Sequence, residues 1–342
     1  MFRLAFTAAC LVLMAIAHNS IALASQNVEP VAEIKYFGVC DGSAALRIDD
    51  QTVLMANDEN NILLSYDIWG GHPVASFDLA DILHGLNEKD GRDRELDIEA
   101  VTELNKELFW IASNGRNKSG KKRPNRLSFF ATSKPDRNLK NLKLVKDRVN
   151  LTERLSSFSG LSDLLTKEVL KTPPKEGGLN IEAMTTTPEG KLILGFRSPL
   201  DGEDGMEGNA TLVTLANIDD QWQVESNALI NLKDRGVRDM IRIDGGYLLI
   251  AGDVDSGGKF ALYTLDMQLK PTKLKSLGKG ELNPEALLAL NDQLLVLSDD
   301  GSVKRKSDQD DDKKKCKTLL GKNVDQASDN SEVYFRGTVF TR

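Results

Sequence analysis

A short apolar strand that opens with a polar and an ionic residue recurs along this chain. Four full copies and one weaker, earlier copy are present, and each is followed by a second apolar run. The full copies span residues 97–101, 180–184, 236–240 and 283–287, and the weaker copy spans residues 41–46. Repeated strand pairs at spacings of roughly 45 to 85 residues are typical of a propeller built from four-stranded blades. The sequence therefore predicts an all-β fold, a β-propeller of five blades.

The segments between the copies also read as strands. Alternating patterns with many β-branched or aromatic residues dominate, for example in residues 211–215 and 260–265. Such runs, bounded by Gly, Asn, Asp and Pro, indicate short strands with tight connections. The exception is residues 161–171, where leucines at helical spacing predict a short helix between the second and third blades. If residues 139–175 formed a sheet of their own, the propeller would have six blades.

The two ends of the chain are expected to complete one blade together. The last copy supplies only two strands before a long loop, residues 304–331, and a final strand, residues 332–341. An apolar run at residues 33–39 is left over at the other end. A propeller removes its open sheet edge when one chain end adds a strand to the blade begun at the other end. We therefore expect the N-terminal strand to pair into the last blade, within a single domain over residues 25–342.

Residues 1–24 have the features of a secretory signal peptide. Arg3 precedes an apolar core at residues 4–17 and a small-residue end at residues 22–24. The apolar stretch is shorter than the roughly 20 residues that span a bilayer, so a cleaved leader is favoured over a membrane anchor. These features predict an exported protein, periplasmic or secreted, with no membrane insertion after cleavage.

Charge and cysteine content narrow the expected partners and the compartment. The chain has a net charge of −7 at pH 7 and no basic stripe, which disfavours binding to nucleic acid or anionic membranes. Cys40 and Cys316 are the cysteines that follow the leader. In an oxidising compartment they predict a disulfide that closes a very long loop, worth roughly 4–5 kcal/mol in the chain-entropy model. The alternative to the disulfide is that both cysteines remain unpaired thiols. The protein is expected to be a monomer.

The polar and ionic residues of the repeat predict a rim of charged side chains. Residues i and i+2 of a strand share a face, and the first strand of each blade lines the central channel of a propeller. The residues that open the copies should therefore meet at one channel mouth, together with arginines from the following strands and loops. The candidate rim residues are Asp97, Glu99, Arg116, Asn180, Glu182, Arg197, Arg238, Asn283 and Glu285.

Two interpretations of this rim stay open. Arginines that hold carboxylate or phosphate groups, and carboxylates that bind cations or act as acid and base, suit a site for a small molecule, a glycan or a protein ligand. Alternatively, the glutamates and arginines pair with one another to neutralise buried charge. No cofactor is predicted, although the loop at residues 201–205 could hold Ca²⁺. His72 and His84 are the histidines that follow the leader, which disfavours a zinc site or a Ser/His/Asp triad. No catalytic residue is assigned.

An ordered set of segments covers nearly all of the chain after the leader: GVCDGSAAL, DIEAVT, GGLNIEAM, LILGFRSPL, LNPEALL and FRGTVFT. This set resembles an uncharacterised family of exported bacterial proteins, catalogued as a domain of unknown function. The resemblance implies a propeller-like fold and no established activity. A looser likeness to esterase-like phytase propellers implies the alternative function, a metal-assisted hydrolase of phosphate or other esters. The favoured function is binding or recognition at the polar rim.

Overall fold

The structure is a computed structural model that describes residues 28–58, 60–89, 92–255, 258–278, 282–307, 310–315 and 333–341. This part of the chain is an all-β protein of repeated four-stranded antiparallel sheets with one short α-helix. The all-β class predicted from the sequence is confirmed, and the arrangement is propeller-like. The predicted signal peptide lies outside the described residues.

The first strand, β1 (Pro30–Phe37), lies between the four strands that follow it and the strands of the last sheet. These four form sheet I, in the order β2 (Ala44–Arg47), β3 (Thr52–Ala56), β4 (Ile62–Asp67) and β5 (Gly70–Asp78). Every residue of β3 is buried, as expected for a strand with packed neighbours on both faces. A 3₁₀ turn (Leu79–Asp81) and a small hairpin of β6 (Glu88–Lys89) and β7 (Arg92–Asp93) follow.

Three further sheets are each built from four consecutive antiparallel strands. Sheet II contains β8 (Ile98–Leu104), β9 (Glu107–Ala112), β10 (Phe129–Ser133) and β11 (Leu144–Val149). Sheet III contains β12 (Asn180–Thr186), β13 (Leu192–Ser198), β14 (Ala210–Ile218) and β15 (Gln221–Ile230). Sheet IV contains β16 (Gly236–Ile243), β17 (Gly246–Gly252), β18 (Phe260–Asp266) and β19 (Pro271–Leu277). The first strand of each of these sheets is one copy of the sequence repeat.

Helical structure occurs in short pieces, in sheet II and in the connection to sheet III. Besides the 3₁₀ turn Leu79–Asp81, these pieces are one α-helix, α1 (Thr152–Ser157), and three 3₁₀ turns, Pro124–Leu127, Val169–Lys171 and Pro174–Glu176. Residues 139–175 contain β11, α1 and 3₁₀ turns, and they form no separate sheet of their own.

The single helix predicted over residues 161–171 is wrong. Leu161 and Leu165 are buried in the core between sheets II and III, and isolated turns hold this stretch instead of a continuous helix. A helix of so few turns is marginal because its nucleation is unfavourable. Packing of the leucines therefore decides the local conformation.

The last sheet, sheet V, is completed from both ends of the chain. It contains β20 (Pro284–Leu290), β21 (Gln293–Ser298) and, after a hairpin of β22 (Lys304–Ser307) and β23 (Asp310–Lys315) in the predicted long loop, β24 (Tyr334–Thr341). Strand β1 pairs antiparallel with β24 along its whole length. The pairing expected from the sequence is therefore present. One parallel pairing between β1 and β5 joins sheet V to sheet I.

Aromatic side chains close the seam between sheets I and V. Tyr36 is completely buried and stacks on Phe335, with ring centroids 4.9 Å apart. It also meets the ring of Tyr66 edge-on at 5.4 Å. The Tyr36 hydroxyl donates to the carbonyl of Ile68, and the Tyr66 hydroxyl donates to the carbonyl of Phe37, both at 2.7 Å. Both buried hydroxyls thus find an acceptor across the seam.

The first strands of the sheets face one another around a central space. Strand β2 contacts β8, β8 contacts β12, β12 contacts β16, β16 contacts β20, and β20 contacts β2. An apolar core lies between each pair of neighbouring sheets. Between the second halves of the first strands lies a cavity of about 270 Å³, lined by residues of all these strands. The first halves of the same strands carry the charged residues of the repeat.

Cys40 follows β1 and is completely buried. Its carbonyl accepts a hydrogen bond from the backbone N–H of Asp300, just beyond β21, at 2.8 Å. The N-terminal segment therefore lies against the last sheet at this point. The predicted disulfide partner, Cys316, lies outside the described residues, and the disulfide stays a prediction.

Candidate functional site

The ionic residue of each full repeat occupies a β-bulge. In β8 the pairing passes from Ile98 to Ala100 while the partner strand advances by one residue, and Glu99 is skipped. The same skip leaves out Glu182 in β12, Arg238 in β16 and Glu285 in β20. A bulge kinks the strand and re-aims the side chain of the extra residue. Equivalent bulges thus direct four ionic side chains at the same level of four neighbouring first strands.

Three of these side chains, with Arg197, form a buried chain of ion pairs. Arg197 Nη1 lies 2.7 Å from Glu182 Oε1, and Arg238 Nε lies 3.1 Å from Glu182 Oε2. Arg238 Nη2 in turn contacts Glu285 Oε1. The side chains of Glu182 and Arg238 are each 3 % exposed. The chain of ion pairs therefore links sheets III, IV and V, and each carboxylate in it is matched by a guanidinium group.

Arg238 is the centre of this chain. Burial, followed by the positive charge of Arg197, lowers the pKa of its guanidinium group to about 10. The negative charge of Glu182 opposes this shift. The group stays protonated at neutral pH. The ring of Phe260 lies 5.7 Å from the guanidinium carbon, a distance suited to a cation–π contact. Arg238 is thus fixed between two carboxylates and an aromatic ring.

Glu99 differs from the other ionic residues of the repeat. Its side chain is half-buried, and it makes no hydrogen bond or ion pair with any residue that the structure describes. Burial raises the pKa of its carboxyl group well above the ordinary value of 4.5, and the negative charges of Glu182, Asp97 and Asp58 raise it further. Arg238 opposes the shift. Glu99 is therefore a carboxyl group whose protonated form is favoured and which forms no ion pair with a described residue.

Asp97 does not follow the strand alternation assumed from the sequence. It precedes β8 and adopts a left-handed backbone conformation, with φ of 61°. Its carboxylate pairs with Arg126 at 3.0 Å, and Arg126 also lies 3.2 Å from Glu95. Burial raises the pKa of Asp97 above its ordinary value, while Arg126 lowers it. Asp97 is therefore held by an arginine that the repeat pattern does not contain.

The two predicted asparagines lie in different surroundings. Asn180 is 5 % exposed and donates from Nδ2 to Glu182 Oε1 at 2.7 Å. Its Oδ1 is buried and has no hydrogen-bond partner. Asn283 donates from Nδ2 to Asp299 Oδ2 at 2.8 Å, beyond β21. Asn180 therefore belongs to the cluster around Glu182, and Asn283 is engaged by the loop at the end of sheet V.

Arg116 is not brought into the ion-pair chain. Its Nε donates to the carbonyl of Leu170 at 2.7 Å, in the connection between sheets II and III. Arg336 was missed by sequence reasoning and pairs with the fully buried Asp300 through two bonds of 2.8 and 3.0 Å. This second buried pair ties β24 to the end of β21. Neither Arg126 nor Arg336 carries a repeat signal, because each reaches a carboxylate distant in the sequence.

The described residues contain no group of three or more His, Cys, Asp or Glu side chains placed to hold a metal ion. In the loop at residues 201–205, the Asp201 carboxylate accepts from Asn209 Nδ2 at 3.0 Å, and Asp204 Oδ1 accepts from the N–H of Met206 at 2.9 Å. These carboxylates are thus engaged by donors of their own loop. Among the described residues, no helix is both long enough and apolar enough to cross a membrane.

A family profile described as protein of unknown function (DUF3616) matches residues 124–315, more than half of the chain. The chain belongs to this family. The matched region begins just before Arg126 and includes Glu182, Arg238 and Glu285, whereas Glu99 precedes it. No curated protein matches the chain.

Several solved structures are similar at low identity. Glutaminyl cyclase from Myxococcus xanthus is 9 % identical, with 79 % of this chain and 90 % of that chain covered and a TM-score of 0.44. A luciferin-regenerating enzyme is 8 % identical, with 92 % of this chain and 96 % of that chain covered and a TM-score of 0.41. The extracellular domain of a one component system from B. thetaiotaomicron is 12 % identical, with a TM-score of 0.34. The match covers 76 % of this chain and 25 % of that chain, so this chain spans a quarter of that one. At such scores none of these proteins assigns an activity to this chain.

Proposed function

We propose that this chain is an exported five-bladed β-propeller that binds a small polar molecule or glycan at the mouth of its central channel. The closed succession of contacts β2–β8–β12–β16–β20–β2 supports the number of blades. An apolar core between each pair of neighbouring sheets supports it as well. The leader-like residues 1–24 support export. We define the channel mouth as Glu99, Asn180, Glu182, Arg238 and Glu285.

One observation carries the binding function. Glu99 offers a carboxyl group without a partner among the described residues, beside a chain of buried ion pairs. Paired charges fix the surrounding side chains, and a polar group left over on a rigid scaffold is what a specific ligand can engage. A purely structural ring would pair every charged member.

Glu99→Gln provides the test. A thermal-shift screen of the mature protein against glycans and small polar metabolites should yield a ligand that stabilises the wild type, because a ligand of the native state raises its stability with occupancy. We expect Glu99→Gln to weaken the affinity of that ligand about tenfold or more, equivalent to ~1.4 kcal/mol. The matched control is Glu103→Gln. Glu103 lies on the same strand but outside the mouth, and its carboxylate pairs with Lys134 Nζ at a distance of 2.8 Å.

The control decides the outcome. Ligand affinity that falls in Glu99→Gln and is retained in Glu103→Gln supports binding at the mouth. Ligands that bind all three proteins equally well would place the binding site elsewhere and contradict the proposal. Glu182→Gln is a poorer probe, since Glu182 is held by two arginines and its neutralisation would disturb the buried charges.

A second function, hydrolysis of phosphate or other esters, is favoured by the raised pKa of Glu99. A general acid must hold its proton near the working pH, and burial beside other carboxylates is how enzymes achieve this. A panel of phosphomonoesters and carboxylic esters, with and without Ca²⁺ or Mg²⁺, tests it. Turnover that disappears in Glu99→Gln and persists in Glu103→Gln would establish the hydrolase, and turnover that is unchanged in Glu99→Gln would remove Glu99 from the chemistry.

A further inference from the structure

Two hydrogen-bond acceptors at the channel mouth, on Glu99 and Asn180, lack a donor among the described residues. The other buried atoms there without a hydrogen bond, Glu182 Oε2 and Arg238 Nε, lie 3.1 Å from each other. Arg197 uses all three of its guanidinium nitrogens, one on Glu182 and two on the carbonyls of Asp253 and Asp255. The buried Oδ1 of Asn180 has no donor, and the half-buried Glu99 carboxyl group makes no hydrogen bond with a described residue. A buried acceptor left unpaired, as in Asn180, is costly. A ligand that satisfies them must donate hydrogen bonds.

The Asn180 amide lies inside the cluster of carboxylates. Its Nδ2 donates to Glu182 Oε1 at 2.7 Å, which places the amide group against that carboxylate. The residue is 5 % exposed, so bulk water does not satisfy its free Oδ1. This unpartnered acceptor is independent of the acidic character of the cluster and points to a missing donor.

The charges that face Glu99 come from five elements. Three are negative: Asp58 after β3, Asp97 before β8 and Glu182 on β12. Two are positive: Arg238 on β16, and Arg126, which pairs with Asp97. Arg238 is already shared between Glu182 and Glu285. An added positive charge would relieve this repulsion, whereas an added anion would increase it.

We infer that the ligand carries a primary ammonium or guanidinium group, bound between the Glu99 carboxylate and the Asn180 amide oxygen beside Glu182. This inference rests on the proposed binding function. An ammonium group has three donors and no acceptor, and a guanidinium group has five donors, so either can donate to both the Glu99 carboxylate and the Asn180 amide oxygen.

Binding of such a cation is linked to loss of a proton from Glu99. The protonated carboxyl group must ionise to form the ion pair, so affinity rises as the pH rises through the Glu99 pKa. The heat of binding, measured at one pH in buffers of different ionisation enthalpy, then reports the released proton. A site that recognises a neutral ligand would not show this release.

Four probes separate the ligand classes. They are 1,4-diaminobutane, the neutral 1,4-butanediol, the anion succinate, and CaCl₂ as an inorganic cation. We expect 1,4-diaminobutane to bind the wild type and Glu103→Gln, more tightly at pH 8 than at pH 5 and with proton release. Its affinity should fall about tenfold or more in Glu99→Gln, which is equivalent to ~1.4 kcal/mol. The diol and succinate should not bind at this site.

Each other outcome has a defined meaning. Binding of a neutral or anionic ligand that depends on Glu99, with no binding of the diamine, overturns the cation inference and leaves the proposed function standing. If Ca²⁺ binds in a Glu99-dependent manner and the diamine does not bind, the site takes a metal ion and the inference of an organic cation is wrong. Diamine affinity that is equal in all three proteins overturns the inference. If no probe or screened ligand depends on Glu99, both the inference and the proposed function fail.

Discussion

Replacement of Arg238 by alanine is expected to lower the free energy of unfolding by about 3–5 kcal/mol, the range for breaking a buried ion pair. The change leaves Glu182 without one of its two arginines and removes the guanidinium contact of Glu285. Both carboxylates would then carry uncompensated charge in a buried setting. Urea unfolding followed by circular dichroism measures the effect. Arg242→Ala is the matched control, because Arg242 is exposed on the same strand and donates to the carbonyl of Thr187.

A triple variant separates lost charge balance from lost packing. Arg238→Met combined with Glu182→Gln and Glu285→Gln removes three of the four charges of this group at similar volume. Arg197 remains and keeps its hydrogen bonds to the carbonyls of Asp253 and Asp255. Replacing buried ion-pair partners together by uncharged residues is often close to neutral, so the triple variant should regain much of the lost stability. If Arg238→Ala is no more destabilising than Arg242→Ala, the ion-pair chain does not hold the three sheets together.

Tyr36→Ala is expected to destabilise the protein by about 3–5 kcal/mol, as large aromatic truncations in a core do. The side chain is completely buried at the seam where β1 closes sheet V against sheet I. Its loss removes the stacking on Phe335 and the hydrogen bond to the carbonyl of Ile68. Val31→Ala on the same strand is the control, since Val31 is 51 % exposed.

The same variants show whether the seam is part of the cooperative unit. A single unfolding transition that shifts with Tyr36→Ala indicates that the closure by β1 folds with the rest of the sheets. An early, separate transition for the seam, or an equal response to Val31→Ala, would contradict the role assigned to β1.

The regular part of the fold was predictable because strand signals are local. Apolar alternation with β-branched residues marks each first strand, and the repeat copies at residues 97–101, 180–184, 236–240 and 283–287 coincide with β8, β12, β16 and β20. The pairing of the N-terminal strand with β24 followed from a general requirement to cover a sheet edge. These features depend on patterns that a single sequence contains.

The geometry of the candidate site was predictable only in part. Strand alternation placed Asn180 and Glu182 together, which their hydrogen bond agrees with. It did not anticipate the bulges or the left-handed conformation of Asp97. It also assigned Arg116 to the rim, whereas Arg126 holds Asp97. Bulges and long-range ion pairs depend on three-dimensional packing, which spacing along the chain does not encode.

Glu99 links the stability of the fold to pH in a defined direction. Its pKa in the folded protein is raised above the ordinary value of 4.5, so the folded state favours the protonated form. This contribution to stability is fully present below the unfolded pKa and is lost as the pH rises through the folded pKa. Glu99→Gln, which cannot ionise, should therefore gain stability relative to the wild type as the pH rises.

Titration of Glu99 shows whether this carboxyl group at the channel mouth has no cationic partner. Selective ¹³C labelling of glutamate carboxyl groups, with the Glu99 signal assigned by its absence in Glu99→Gln, follows its ionisation by NMR. We expect an apparent pKa well above 4.5 in the ligand-free protein, lowered when 1,4-diaminobutane binds. A Glu99 pKa at or below 4.5 would show that a cationic neighbour already pairs with it, and the proposed binding site would be wrong.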